Sequence, residues 1–184
     1  MKYFLDTEFY EDGERIHLIS IGIVCEDGRE LYAENSQFDR SIVPADHFVR
    51  TDVLPHMKYL VHDHQAKDPT QHALFHNSKE KLAAIAPRAE ISKYITHFVE
   101  GTTPVFYGYF ADYDWVVLCQ LFGRMVDLPK GFPYFCMDLK QMMEERGLTK
   151  EWKQTACPDP IGEHNALVDA RWNMALYKAI MEQA

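Results

Sequence analysis

Apolar positions dominate the start of the chain and then give way abruptly to acids. Tyr3-Phe4-Leu5 runs straight into Asp6-Thr7-Glu8-Phe9, so residues 1–9 read as a strand with carboxylates toward its far end. Asp12-Gly13 is a turn signal. Leu18 to Cys25 is a near-continuous apolar run, as expected of a strand covered on both faces. Glu26-Asp27-Gly28-Arg29 then turns the chain into a third strand, Glu30–Ala33.

Residues 36–88 have weak periodicity and hold six of the nine histidines (His47, His56, His62, His64, His72, His76), which predicts a loop-rich insertion with short helices. From Ala89 to Glu100 the apolar residues Ile91, Tyr94, Ile95, Phe98 and Val99 recur at helical spacing, with Gly101 just past the end. Pro104–Phe110 predicts a fourth strand, and Asp114–Phe122 a helix stopped by Gly123. Tyr134–Met137 predicts a fifth strand, followed by a helix over Leu139–Arg146 that ends at Gly147. A closing helix over Ala166–Met181 carries an apolar stripe of Leu167, Ala170, Met174, Tyr177 and Met181. Strands first, then alternating helices and strands, indicate an α/β fold: a mixed sheet with helices packed on its faces.

The chain has 184 residues, enough for one domain over 1–184 with a substantial core and no disulfide or metal staple. No apolar run reaches the length of a signal-peptide core or a membrane span, so a cytoplasmic protein with no membrane partner is expected. The four cysteines (Cys25, Cys119, Cys136, Cys157) form no C-x-x-C pair and read as reduced, buried thiols. The formal net charge of −9 argues against a protein that holds nucleic acid by charge alone. It suits an enzyme whose bound cations supply the local positive charge.

Three segments carry candidate chemistry. Asp6 and Glu8 have strand spacing and project to one face directly after an apolar run. Carboxylates crowded at such a place repel one another and lose hydration, so they call for cations or donors, and an all-oxygen set suits Mg²⁺ or Mn²⁺. The plain alternative is an acidic strand end exposed to solvent. Asp114 follows Tyr109-Phe110-Ala111-Asp112-Tyr113, where a strand gives way to a helix, the usual edge for a site in an α/β sheet. Read alone, it is equally a helix-start acid favouring the dipole. His164 lies on a loop five residues ahead of Asp169, which falls in the first turns of the last helix. A surface histidine and a second helix-start acid is the bland reading of that pair.

In order and character the three segments resemble the DEDDh exonucleases: a D-x-E strand, an aromatic-Asp segment opening a helix, and H-x4-D on the closing helix. The opening Tyr3-Phe-Leu-Asp-Thr-Glu-Phe is most similar to the exoribonuclease AS branch of that group, short bacterial and phage proteins that trim adenylate-rich RNA tails. The resemblance covers Tyr3 to about Arg171. It implies a ribonuclease-H-like mixed β-sheet flanked by helices on both faces. It also implies that Asp6, Glu8, Asp114 and Asp169 bind two Mg²⁺ or Mn²⁺ ions and that His164 is the general base. The implied reaction is 3′→5′ hydrolysis of single-stranded RNA 3′ ends, with DNA as the alternative substrate. Related enzymes often pair, so a homodimer is also raised.

Thr7, Phe9, Tyr113 and Trp115 flank the acids and are candidates to touch substrate, although each aromatic is also a natural core residue. Lys150-Glu151-Trp152-Lys153 could meet phosphates or be an ordinary solvated loop. Two other functions compete. His62, His64, His72 and His76 could bind zinc, with His72 and His76 spaced as a helical pair, but Ala73 stands where a zinc hydrolase needs its glutamate. A non-catalytic nucleic-acid-binding or scaffold protein on the same fold is the other.

Overall fold

Ten consecutive residues, Lys2–Glu11, form β1, which lies inside the sheet with a paired strand on either side. The computed structural model describes residues 1–58, 73–78 and 80–183. β2 (Ile16–Cys25) and β3 (Glu30–Asn35) follow as an antiparallel meander, with Asp6 opposite Gly22 and Glu8 opposite Ser20. The 36–88 segment opens with short helical turns at Arg40–Ile42, Val49–Val53 and Leu54–His56, as expected. It then departs from expectation. β4 (Ala73–Asn77) and β5 (Lys81–Ala86) extend the sheet, β5 running parallel to β3. Lys81-Leu-Ala-Ala-Ile-Ala hides its strand character behind small residues; Ala84, Ile85 and Ala86 are nevertheless fully buried.

α1 (Arg88–Phe98), β6 (Val105–Gly108) and α2 (Asp112–Phe122) come next, close to their predicted bounds. β7 is only Met137–Asp138, so the strand expected from Tyr134 starts three residues late, and Tyr134 and Phe135 lie exposed. α3 (Leu139–Glu145) follows it. α4 (Lys150–Ala156) is a helix capped by Thr149, not a loop. α5 (Ala166–Glu182) closes the chain. Its buried face is Ala166, Ala170, Asn173, Leu176 and Ile180, turned by about one residue from the predicted stripe, and Met181 is exposed. A buried polar residue, Asn173, at the centre of that face is what misaligned the hydrophobic reading.

The sheet order is β4-β5-β3-β2-β1-β6-β7, with β6 and β7 parallel to β1. Alternation along β1 divides the core. Tyr3 and Leu5 pack with Ile91, Ile95 and Phe98 of α1 and Trp115, Leu118 and Leu121 of α2. Phe4 turns the other way, to Leu139 and Met143 of α3 and Leu176 and Ile180 of α5. Helices thus cover both faces. All four cysteines are free, three of them buried. Among the described residues no helix is long and apolar enough to cross a membrane.

Candidate active site

β6 pairs with β1 only from Lys2 to Phe4, so beyond that point one edge of β1 has lost its strand partner. Backbone groups left unpaired in a buried place must find other partners. Two helices supply them. Asn173 of α5 donates through Nδ2 to the Leu5 carbonyl at 2.9 Å. Asp114 of α2 accepts, on Oδ1, the Thr7 backbone N–H at 2.8 Å and the Thr7 hydroxyl at 2.5 Å. The end of β6 therefore opens a notch beside Asp6-Thr7-Glu8, and side chains from both faces fill it.

α5 reaches the notch because Gly22 has no side chain. A Cβ there would lie 2.2 Å from the Ala166 carbonyl oxygen and 2.5 Å from the Leu167 nitrogen. The first turn of α5 thus crosses directly over the residue opposite Asp6. Asn165 caps that turn, its Oδ1 accepting from Leu167 and Val168 N–H at 3.2 and 3.3 Å. One turn on, Asp169 joins Asp6 and Glu8: carboxylate oxygens of the three lie within 4.8 Å of one another.

Three carboxylates this close, partly or wholly withdrawn from water, resist ionisation. Burial, reinforced by Asp114, Glu8 and Asp169, holds Asp6 well above the usual carboxylate range. Burial, with Asp169 and Asp114, pushes Glu8 up to about 8. Burial pushes Asp114 up to about 7 despite the two Thr7 bonds, with Asp138 and Asp169 adding to the rise. Asp169 is pushed up to about 6 by burial, held back by the backbone N–H of His164 and its ring. Among the described residues the three clustered acids have no Lys or Arg ion-pair partner. The donor set is all oxygen, anionic and convergent, which fits hard divalent cations.

His164 enters from the loop before α5. Its backbone is left-handed, φ +68°, and its N–H donates to Asp169 Oδ2 at 2.9 Å. Its ring meets Phe48 edge to face, centroids 4.8 Å apart. His164, Asp6 and Asp169 line one cleft of about 210 Å³ together with Tyr109, Lys153 and Trp172. A larger cleft of about 550 Å³, between the end of α1 and residues 129–132, contains no such carboxylate cluster.

The remaining candidates separate. Thr7 is buried and engaged with Asp114, so it holds a site residue rather than facing solvent. Phe9 is partly buried and stacks on Tyr113 at 5.7 Å, leaving Tyr113 45% exposed beside the site. Trp115 fills the core against Phe106 and does not reach the cleft. Asp112, the other acid of its segment, is exposed while Asp114 is buried. His62, His64 and His72 of the histidine cluster lie outside the described residues. His76 sits on β4, extended and exposed, so the helical spacing read into His72 and His76 does not hold.

Three contributors escaped the sequence reading. Gly22 looked like one more small residue in an apolar strand. Asn173 fell outside the predicted stripe. Asp138 caps α3 through the Gln141 N–H at 2.9 Å and accepts the Ala111 N–H at 2.7 Å, fixing the turn into α2. Only Asp138, an acid just before a helix, carried a local signal.

The family model described as the 3'-5' exoribonuclease Rv2179c-like domain matches residues 1–181. Two Mycobacterium tuberculosis proteins, the 3'-5' exoribonuclease Rv2179c of strain H37Rv and MT2234.1 of strain CDC 1551, are each 37% identical over 181 residues. The alignment covers 98% of this chain and 93% of each relative. With a model match and this identity over nearly its whole length, the chain belongs to the family of Rv2179c-like 3'-5' exoribonuclease domains.

Proposed function

We propose that the protein is a 3′→5′ exoribonuclease of the DEDDh type, removing nucleoside monophosphates from single-stranded RNA with two divalent cations and a histidine base. The observation that carries this reading is the convergence of Asp6, Glu8 and Asp169 to within 4.8 Å, with Asp114 anchored to Thr7 between them. A ribonuclease-H-like core is supported by the order β3-β2-β1-β6-β7, in which only β2 runs against β1 and the later strands are parallel to it.

Asp6, Glu8, Asp114 and Asp169 would hold the Mg²⁺ or Mn²⁺ pair. When bound, the cations supply charge for the scissile phosphodiester and acidify the attacking water. The chain's own residues do the rest. Thr7 keeps Asp114 turned toward the acids, and Asn165 and Gly22 set the depth at which Asp169 enters. His164, carried beside Asp169, accepts the proton of the attacking water. Exposed Tyr113, stacked on Phe9, offers an aromatic face to an unpaired base.

The test is release of product from 3′-labelled and 5′-labelled RNA and matched DNA, oligo-A included, with Mg²⁺ or Mn²⁺. Early mononucleotide from the 3′ end of RNA is expected, and Asp6→Ala should lower the rate by at least ~10³-fold, the several kcal/mol that the cations contribute. Near-wild-type activity of Asp6→Ala would remove the assigned site. A faster rate on DNA would overturn the substrate.

A further inference from the structure

We infer that Lys153, Asp159 and Trp172 form a clasp that fixes the loop delivering His164, which makes Lys153 a positioning residue for the base. The inference rests on His164 acting as that base. A lysine is seldom buried, and a charge withdrawn from water is costly unless it is paired. Lys153 is only 7% exposed, on the seven-residue helix α4. Its ammonium bonds Asp159 at 2.5 Å and stands over the rings of Trp172 and Tyr109, 4.8 and 5.4 Å from their centroids. Asp159 belongs to the connection between α4 and α5, the segment that ends in His164.

A second tie holds the same place: Trp172 of α5 donates through Nε1 to the Pro158 carbonyl at 2.9 Å. At its other end the segment is held by the His164 N–H on Asp169. Between the two ends Ile161, Gly162 and Glu163 are exposed. His164 itself sits at positive φ, a conformation that is strained for a non-glycine residue and persists only where its surroundings enforce it. The downstream bond alone fixes the backbone of His164 and leaves the approach of the loop free. The Lys153–Asp159 pair and the Trp172–Pro158 bond supply the missing constraint, and Lys153, Asp159 and Trp172 all line the cleft that holds Asp6, His164 and Asp169.

The experiment is single-turnover cleavage of a short RNA, with KM and thermal midpoint measured alongside, for Lys153→Met, Asp159→Asn and Asp159→Glu, in wild-type and His164→Ala backgrounds. Lys153→Met and Asp159→Asn should slow cleavage between about 10- and 100-fold at unchanged KM, the effect of misplacing a reacting group by about 1 Å. Asp159→Glu, which keeps the carboxylate, should restore most of the rate. In the His164→Ala background neither loss should recur. Asp159 is half exposed, so its variants keep the fold even where Lys153→Met does not. A raised KM at unchanged rate would mean that Lys153 grips a phosphate directly and would overturn the clasp, as would full additivity with His164→Ala. Slow His164→Ala beside wild-type Asp159→Asn would reject the clasp alone. A wild-type rate for His164→Ala would reject the base, and the clasp with it.

Discussion

Asp114 and Asp169 close the same site from opposite faces of the sheet, and they are held in opposite ways. Asp114 rides on α2 and is tied to the central strand itself, both Thr7 bonds landing on Oδ1. Strand backbone is among the least mobile material in a fold, so Asp114 is set when the sheet forms. Asp169 rides on α5, and its bond is to the backbone of the loop residue His164. One acid is built into the scaffold. The other joins a proposed metal ligand to the proposed base, so disturbing either member disturbs both.

The most severe way to break this comparison is a pair of double-mutant cycles. His164→Ala should cost roughly 10²–10⁴-fold in the chemical step, the usual contribution of a general base. Asp169→Ala should cost at least as much, and combining the two should cost little beyond Asp169→Ala, because His164, the proposed base, has already lost its anchor. Asp114→Ala combined with His164→Ala should be close to additive, since no bond joins them. Single-turnover rates decide it. Equal additivity in both cycles would mean that the His164–Asp169 bond carries no functional coupling.

A smaller effect separates the faces by geometry. Gly22→Ala drives a methyl to 2.2 Å from the Ala166 carbonyl, so the start of α5 must lift. Overpacking of this kind costs about 1–3 kcal/mol. Asp169 and His164 move with α5 while Asp114 stays, so activity should fall by about 100-fold at this scale of displacement. Calorimetric titration with Mn²⁺ should show weakened binding, and the thermal midpoint should drop. A Gly22→Ala protein with wild-type rate and cation affinity would show that α5 can be displaced without touching the site.

The same contrast explains what was legible in the sequence. Asp6, Glu8, Asp114, His164 and Asp169 were each ambiguous locally, since an acid or a histidine where an apolar element meets a polar one is as readily a strand end or a helix start; their order along the chain, and its resemblance to the DEDDh exonucleases, set them together. The α/β class, the first three strands and four of the five α-helices among the described residues followed from period and punctuation. The supports were silent. Gly22 matters through what lies above it and Asn173 through a carbonyl 168 positions back in the chain, while Lys153, read only as part of a possible phosphate contact or a solvated loop, is held by rings on the β6–α2 connection and α5. Such roles arise only when distant segments meet, and nothing in the local pattern encodes the meeting. The strands at 73–86 were missed for a related reason: β5 is stabilised by pairing with β3, not by alternation of its own residues. Trp115 stayed open between substrate and core in the sequence, since an aromatic beside a motif looks identical in either role, and it packs in the core.

The gentlest test of the comparison is the pH dependence of stability without cations. Asp114 is pushed up to about 7 and Asp169 to about 6, so the folded chain keeps protons that the unfolded chain releases near the ordinary carboxylate range. Where the native state binds more protons, stability falls as pH rises. The contribution is therefore complete below about pH 4 and is lost through pH 6 for Asp169 and pH 7 for Asp114, with Glu8 extending the decline to about 8. In EDTA the thermal midpoint should fall between pH 5 and 8, by about 2–4 °C for each kcal/mol lost in a chain of this size. Mg²⁺ or Mn²⁺ should restore it most at pH 8, where the carboxylates are ready to bind. Asp169→Asn should flatten the curve mainly below pH 6, and Asp114→Asn should flatten it up to pH 7. A midpoint in EDTA that rises with pH over this range would mean that the acids are not crowded together, and would count against the cluster on which the assigned chemistry depends.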